Sequence, residues 1–361
     1  MQRMAEAVLN GHPDKFSDLI ADALVKAYCA KEPDAYVQIE VAIWSDLIFL
    51  TGFAATRQPI SIPVRDIIVE LGQTIGYSTY NHIDASRYII HNHICQVREN
   101  PTQWTDYVND QSIVMGYACG DALTHFLPTE QFLVWYFREA ILKSIHHELL
   151  HGQGPDGKLL VNLTASPTGW YINQLLVTLQ HNKQTSLFDV CDYVMQTLRE
   201  AYETLQNKDP RWLTPWYQIP FLFNPNGPFI QGGSDSDNGQ TGRKLVMDFY
   251  GPHTPIGGGA FYGKDLHHID RLGAIQARHF AVNQVASGAE SALVQVSYAP
   301  GIDTPLSVVL QSNQPAYTSL NNYFNASTMR RQRKTEHLDY SLFKLGTFYN
   351  EELSFNNPSS V

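Results

Sequence analysis

The chain has 361 residues, 43% hydrophobic and 17% charged, which describes a globular protein long enough for two or three domains. A formal net charge of −10 and a pI near 5.7 leave no global positive field to steer it to nucleic acid or an anionic membrane. Cys29, Cys95, Cys119 and Cys191 lack CxxC pairing, which predicts reduced, mostly packed thiols and argues against a disulfide framework or a cysteine zinc site.

The first fifteen residues, MQRMAEAVLNGHPDK, hold no signal-peptide apolar run. No later segment reaches the roughly 20 apolar residues of a bilayer span. Cytoplasmic residence is the expectation, with no membrane and no nucleic-acid partner. After GHPDK, the spacing of Phe16, Leu19, Ile20, Ala23, Leu24 and Ala27 predicts an amphipathic helix, with His12 near its N-cap, Pro13 in its first turn and Asp14 beside it. In 36–44, Val37, Ile39, Val41 and Ile43 alternate with Tyr36, Gln38, Glu40 and Ala42, a half-buried strand whose hairpin partner is DLIFLTGFAAT. Helical pattern recurs near 62–74, 131–149, 187–206 and 269–286, and strand pattern at 158–164, 171–179, 244–250 and 292–298. The polar stretch 97–110, VRENPTQWTDYVND, reads as a mobile loop or surface connector, and the tail NEELSFNNPSSV as frayed. This rhythm suggests an α+β protein of three similar units, without a clean sequence repeat.

Five stretches carry candidate chemistry. GHPDK (11–15) puts a proton donor, a metal ligand and a cation in one turn at a helix N-terminus that favours anions; a plain capped helix is the alternative. HHELLH (146–151) matches HExxH, but it ends a helical pattern where imidazoles are favourable in any case. GPDGK (154–158) carries Asp156 and Lys158 on a turn entering a strand, a weak signal alone. The glycine-rich 224–251 carries Asp235, Asp237, Arg243 and Lys244 and is expected to run into a strand. Acid and base on one such loop suit a metal–phosphate ligand. GGGAFYGKDLHHIDR (257–271) nearly spells a Walker A loop, but Asp265 stands where Ser or Thr is needed and the preceding GPHTPI reads as turn. It is read as a polyphosphate cradle of another kind.

Taken in order, GHPDK, DQSIVMGYA, GPDGK, NPNGPFIQGG, DNGQTGRK and GGGAFYGKD…DR resemble the motifs of the S-adenosylmethionine synthetase family over roughly residues 5–310. The resemblance implies three α+β repeats about a pseudo-threefold axis, placed at about 1–109, 110–223 and 224–361 and interleaved. It implies a homodimer or a dimer of dimers with active sites at the interface, and a reaction in which methionine sulfur displaces the triphosphate of ATP. Two Mg²⁺ per site and K⁺ are the implied cofactors. His12, Lys158, Arg243 and Lys264 are the implied catalytic residues. Asp156, Phe229, Asp237, Lys244 and Ala260 join them around ATP, and Phe53, Gln96, Asp110, Asp237 and His268 face the amino acid. Asp14 and Asp270 are the implied Mg²⁺ carboxylates, Glu40 the K⁺ ligand, and 97–110 the lid.

Several positions depart from the family pattern. Phe53 stands where Glu is usual, His268 where Lys is usual, Pro228 where a cation is usual and Asn10 where a carboxylate is usual. The 97–110 stretch is shorter than typical. The phosphate end is thus intact while the amino-acid head-group end is altered. That leaves, beside a working methionine enzyme, readings with a different nucleophile, with triphosphate hydrolysis alone, as a non-catalytic partner subunit, or as a zinc hydrolase at HHELLH.

Overall fold

A computed structural model describes residues 1–78, 84–147, 152–334, 340, 343 and 346–359. The chain opens with β1 (Gln2–Val8), α1 (Pro13–Lys31), the hairpin β2 (Tyr36–Trp44) and β3 (Leu47–Thr56), then α2 (Val64–Ile75), β4 (Ile89–Arg98) and the single turn α3 (Thr102–Thr105). The middle supplies β5 (Ser112–Cys119), α4 (Thr129–His146), β6 (Gln153–Ser166), β7 (Gly169–His181), α5 (Leu187–Lys208) and β8 (Phe221–Phe223). The last third adds β9 (Gly239–Gln240), the short α6 (Leu245–Asp248), α7 (Ile269–Ala286), β10 (Ser291–Ala299), β11 (Ile302–Ser312), α8 (Leu320–Tyr323) and α9 (Ala326–Lys334).

These strands form three sheets, in the orders β1-β6-β7-β8, β11-β10-β5 and β4-β3-β2-β9. Each sheet is backed by helix: α4 on the first, α7 on the second, α1 on the third. The period-two pattern of β2 works as read, with Val37, Ile39, Val41 and Ile43 all buried against α1. Helix α7 is enclosed on nearly every side, and its approach to β5 depends on Gly116. A Cβ there would lie 2.0 Å from the Ala277 backbone.

Four expectations need correction. Residues 245–248 form a helical turn, not a strand, because Leu245, Phe249 and Tyr250 turn into the core while Asp248 is held by Lys15. GPDGK lies inside β6, across a register shift between Gln153 and Gly157, and not on a turn that precedes the strand. The 97–110 stretch is anchored: Pro101, Thr105 and Val108 are buried, and α3 interrupts it. The tail is packed and not frayed through 356, with Leu353, Phe355 and Asn356 buried and the Asn356 Oδ1 accepting from Arg278 Nε at 3.2 Å. Its apolar residues are too sparse for a periodic signal, so its burial shows only in three dimensions. No helix among the described residues is long and apolar enough to cross a membrane.

Candidate active site

Two helix N-termini are built alike. His12 caps α1 and its Nδ1 accepts the Asp14 N–H at 3.2 Å; His268 caps α7 and its Nδ1 accepts the Asp270 N–H at 3.3 Å. Each cap is followed two residues later by a buried aspartate, and each aspartate holds a lysine at 2.5 Å: Asp14 with Lys244, Asp270 with Lys264. A His-x-Asp dipole end facing a lysine therefore occurs twice, once in HPD and once in HID. That repeated triplet was visible in the sequence and went unread.

Because Nδ1 accepts in both rings, the neutral tautomer carries its proton on Nε2. Burial, then the charges of Lys158 and Lys244, lower the His12 pKa to about 3, against the opposing pull of Asp14. Burial, then Lys264, likewise lowers that of His268. Both imidazoles are neutral donors near pH 7. The His12 Nε2 faces the exposed Asp237 carboxylate at 4.0 Å.

Both glycine-rich loops dock on one edge of β2. Lys264 bridges to Gln38, while Gln240 and Gly239 pair with Ala42 and Ile43. Four strand residues separate the two docking points, about 13 Å. Opposite them, α1 presents Asp14, Asp18 and Asp22, whose span of eight residues is about 12 Å. The Oδ1 of each accepts one loop N–H: Gln240 at 2.9 Å, Gly242 at 2.8 Å and Gly263 at 2.8 Å. Gly263 has φ +77° and leaves no room for a Cβ, which would meet the Ile39 carbonyl at 2.0 Å. Asp22 is also bidentate to the fully buried Arg271 at 2.8 and 2.9 Å. Asp18, Asp22 and Arg271 escaped the sequence reading; carboxylates at four-residue spacing on a buried helix were the available signal.

The candidate residues fall into two clusters along β2. Around His12 stand Asp14, Lys244, Arg243 (3.6 Å from Asp14), Asp237 and the exposed Lys158, which pairs in register with Val8. Asp156 is buried and accepts the Gly233 N–H at 2.8 Å, so it holds the 225–238 loop; burial raises its pKa to about 6. Phe229 is half-buried in that loop, and Ala260 packs toward Gly242, joining the two loops. Around Lys264 stand Asp270, His268, Asp110 and Ser112, whose hydroxyl donates to Asp270 at 2.5 Å. Phe53 lies beyond them on β3, and Gln96 on β4 donates to the Thr56 hydroxyl at 3.5 Å. Glu40 is exposed between the clusters, with Thr51 and then His93 opposite it in register. Lys15 of GHPDK does not face the site: it is buried, bonded to Asp248 and Asp18, and lies over Tyr262.

Among the described residues one cluster has the spacing of a metal site: ligand atoms of Asp110, His268 and Asp270 lie within 4.8 Å of one another. Of HExxH, His147 closes the end of α4, while Glu148 and His151 lie outside the described residues.

Models of the S-adenosylmethionine synthetase N-terminal and C-terminal domains match residues 2–98 and 231–337. The chain belongs to the S-adenosylmethionine synthetase family. It is 35% identical over 329 residues to S-adenosylmethionine synthase 2 of Rhodospirillum rubrum, covering 85% of this chain and 79% of that one. It is 32% identical to the synthase of Wolinella succinogenes, over 86% of this chain and 80% of that one. The structure of an unusual S-adenosylmethionine synthetase from Campylobacter jejuni shares the fold, with a TM-score of 0.85 over 99% of this chain and 96% of that one at 22% identity. Both family matches contain a capped His-x-Asp helix: α1 in the first, α7 in the second.

Proposed function

We propose that the protein is a methionine adenosyltransferase, moving the adenosyl group of ATP to the sulfur of L-methionine and releasing phosphate and pyrophosphate. The observation that carries this is the pair of His-x-Asp helix ends, each facing a lysine, set along one strand edge with two glycine-rich loops between them. A sulfur lone pair forms the new bond to C5′, and the C5′–O bond breaks with its electrons leaving on the triphosphate. Water then cleaves a phosphoanhydride bond of that product. The chain has to hold a highly charged leaving group, so fixed cations matter more than covalent help.

Within this reading His12 donates its Nε2–H to the departing oxygen as a neutral group, and Lys158, Arg243, Lys244 and Lys264 line the triphosphate. Asp156 and Ala260 keep the loops in place, Phe229 packs beside the base, and Asp237 meets both substrates. Gln96, Asp110, Phe53 and His268 face the amino acid. The buried oxygen donors of Asp14 and Asp270 suit a hard cation, so these two carboxylates would hold Mg²⁺. Bound there, Mg²⁺ supplies neutralisation of the charge that grows on the triphosphate. Glu40 fits K⁺ less well within one chain: the register sets a threonine and a histidine beside it, and no second carboxylate.

Self-association as a homodimer or a dimer of dimers, with the sites at the interface and the enzyme in the cytoplasm, belongs to the same reading. The outward face of the β4-β3-β2-β9 sheet supports it, because Trp44, Phe49 and Ile89 are exposed there. Replacing Lys264 or Lys244 with Ala should lower kcat by about 10²–10³-fold with an unchanged fold. Undiminished turnover in the Lys264→Ala enzyme contradicts the assignment of the 257–271 loop.

A further inference from the structure

The end of the site around Asp110 is walled by aromatic rings. The Tyr36 ring lies 5.8 Å from that of Trp104 and 6.3 Å from that of His268, close to parallel with both. Phe53 sits 6.0 Å from Tyr36 and meets Trp104 nearly edge-on at 5.6 Å. Tyr36 and Phe53 share the outward face of β2 and β3, where Gln38 stands opposite Phe53 and Tyr36 opposite Ala55. Trp104 comes from α3, whose anchoring by Pro101 and Thr105 fixes the wall.

The charges around this wall are one-sided. Lys264 is committed to Asp270 at 2.5 Å. The His268 Nδ1 is taken up by the Asp270 N–H at 3.3 Å. Asp265 is spoken for by the Val37 and His267 N–H groups, each at 2.8 Å. Asp110 is exposed and has neither hydrogen bond nor ion pair among the described residues. Burial first, and then the Asp265, Asp110 and Asp270 carboxylates, push the Tyr36 hydroxyl up to about 12. Ring faces and an unpaired carboxylate attract a cation. Among the described residues, the lysine of this cluster, Lys264, is already paired, so a carboxylate placed there competes with Asp270 for it.

We propose that Tyr36, Phe53, Trp104 and Asp110 form the head-group subsite for the attacking thioether and select it by its ammonium group, with no requirement for a carboxylate. This rests on the adenosyl-transfer reading and narrows it to a substrate class: thioether amines, including methionine, its esters and amides, and the decarboxylated amine. The bond changes are those already given, sulfur to C5′ with triphosphate leaving, and the product is a sulfonium.

Unreactive isosteres separate recognition from chemistry. Full-length protein with ATP and Mg²⁺ would be titrated with n-pentylamine, pentanoate and n-pentanol by ligand-observed NMR. The amine should bind at least about tenfold more tightly than pentanoate. Phe53→Leu should weaken the amine by about twofold to thirtyfold, the range of one cation–π contact, and leave pentanol unchanged. Pentanoate binding as tightly as the amine, or equal loss of amine and alcohol in the variant, overturns the subsite. In a parallel arm, mass spectrometry would follow 3-(methylthio)propylamine, 3-(methylthio)propionate and L-methionine with ATP. Adducts of the amine and methionine but not of the acid are expected, and an adduct of the acid alone overturns the proposal. If no thioether reacts, the transfer reading fails, while the titration still judges the subsite.

Discussion

His12 sets the chemistry at the residue scale. A histidine in a cleft invites a general-acid role, but burial and the nearby lysines keep this ring neutral, so in the proposed reaction its part would be hydrogen-bond donation. Because its pKa is depressed, the second ring proton is absent above about 3 while Nε2–H remains, and no charge change crosses neutrality. The His12 ring signals in NMR should therefore stay fixed between pH 5.5 and 8; a midpoint near 6.5 would contradict the assignment. His12→Asn preserves an N-cap and should cost only a few tenths of a kcal/mol in stability while lowering kcat about 10²-fold. A matched loss of stability and activity would mean the ring serves only as a cap. His12 and Asp14 were legible from GHPDK because capping chemistry is local. Asp156 was a candidate from GPDGK alone, but its bond to Gly233 depends on a contact 77 positions away along the chain.

At the element scale, α1 organises the site more than any loop does. Its carboxylates at 14, 18 and 22 match the spacing of the two loop docking points on β2, so a rigid helix sets where the cations stand. Removing one carboxylate should therefore act well beyond its own position. Asp22→Ala frees the Gly263 N–H and leaves the buried Arg271 without its carboxylate, with the Lys264 carbonyl still accepting from it. The expected loss is about 3–5 kcal/mol in urea unfolding. A loss under about 1 kcal/mol would show that the helix does not carry the loop. Lys15→Met, which leaves Asp248 and Asp18 buried together, should cost a similar amount. Helix α5 and the β2–β3 hairpin could be read from periodicity because each buries one regular face. The strands β1 and β5 could not, since their pairing partners are remote, and neither could β4 and β11, since much of each is exposed. The supposed strand at 244–250 failed for a related reason: an apolar run too short for a period takes whatever shape its neighbours impose.

At the scale of the whole molecule, each sheet draws strands from distant parts of the chain. β1 joins β6, β5 joins β10, and β9 joins β2, which ties the thirds of the sequence together. The tail completes this closure, with Phe355 packed against Phe343 and Phe348. Phe355→Ala should cost about 3–5 kcal/mol, which a frayed tail would not. The outward side of the sheet that bears Glu40, Phe49 and Phe53 exposes large apolar side chains, Trp44, Phe49 and Ile89 among them. Sedimentation of the native protein should show at least a dimer, and Phe49→Glu should shift it to monomer with loss of turnover. A fully active Phe49→Glu monomer would remove self-association from the account.

The central claim is transfer of an adenosyl group to sulfur. Mass spectrometry of protein, ATP, Mg²⁺, K⁺ and L-methionine, beside the same mixture without methionine, tests it most directly. The account predicts S-adenosylmethionine only where methionine is present, with phosphate and pyrophosphate released alongside. ATP consumed with no sulfonium product in either mixture would contradict it.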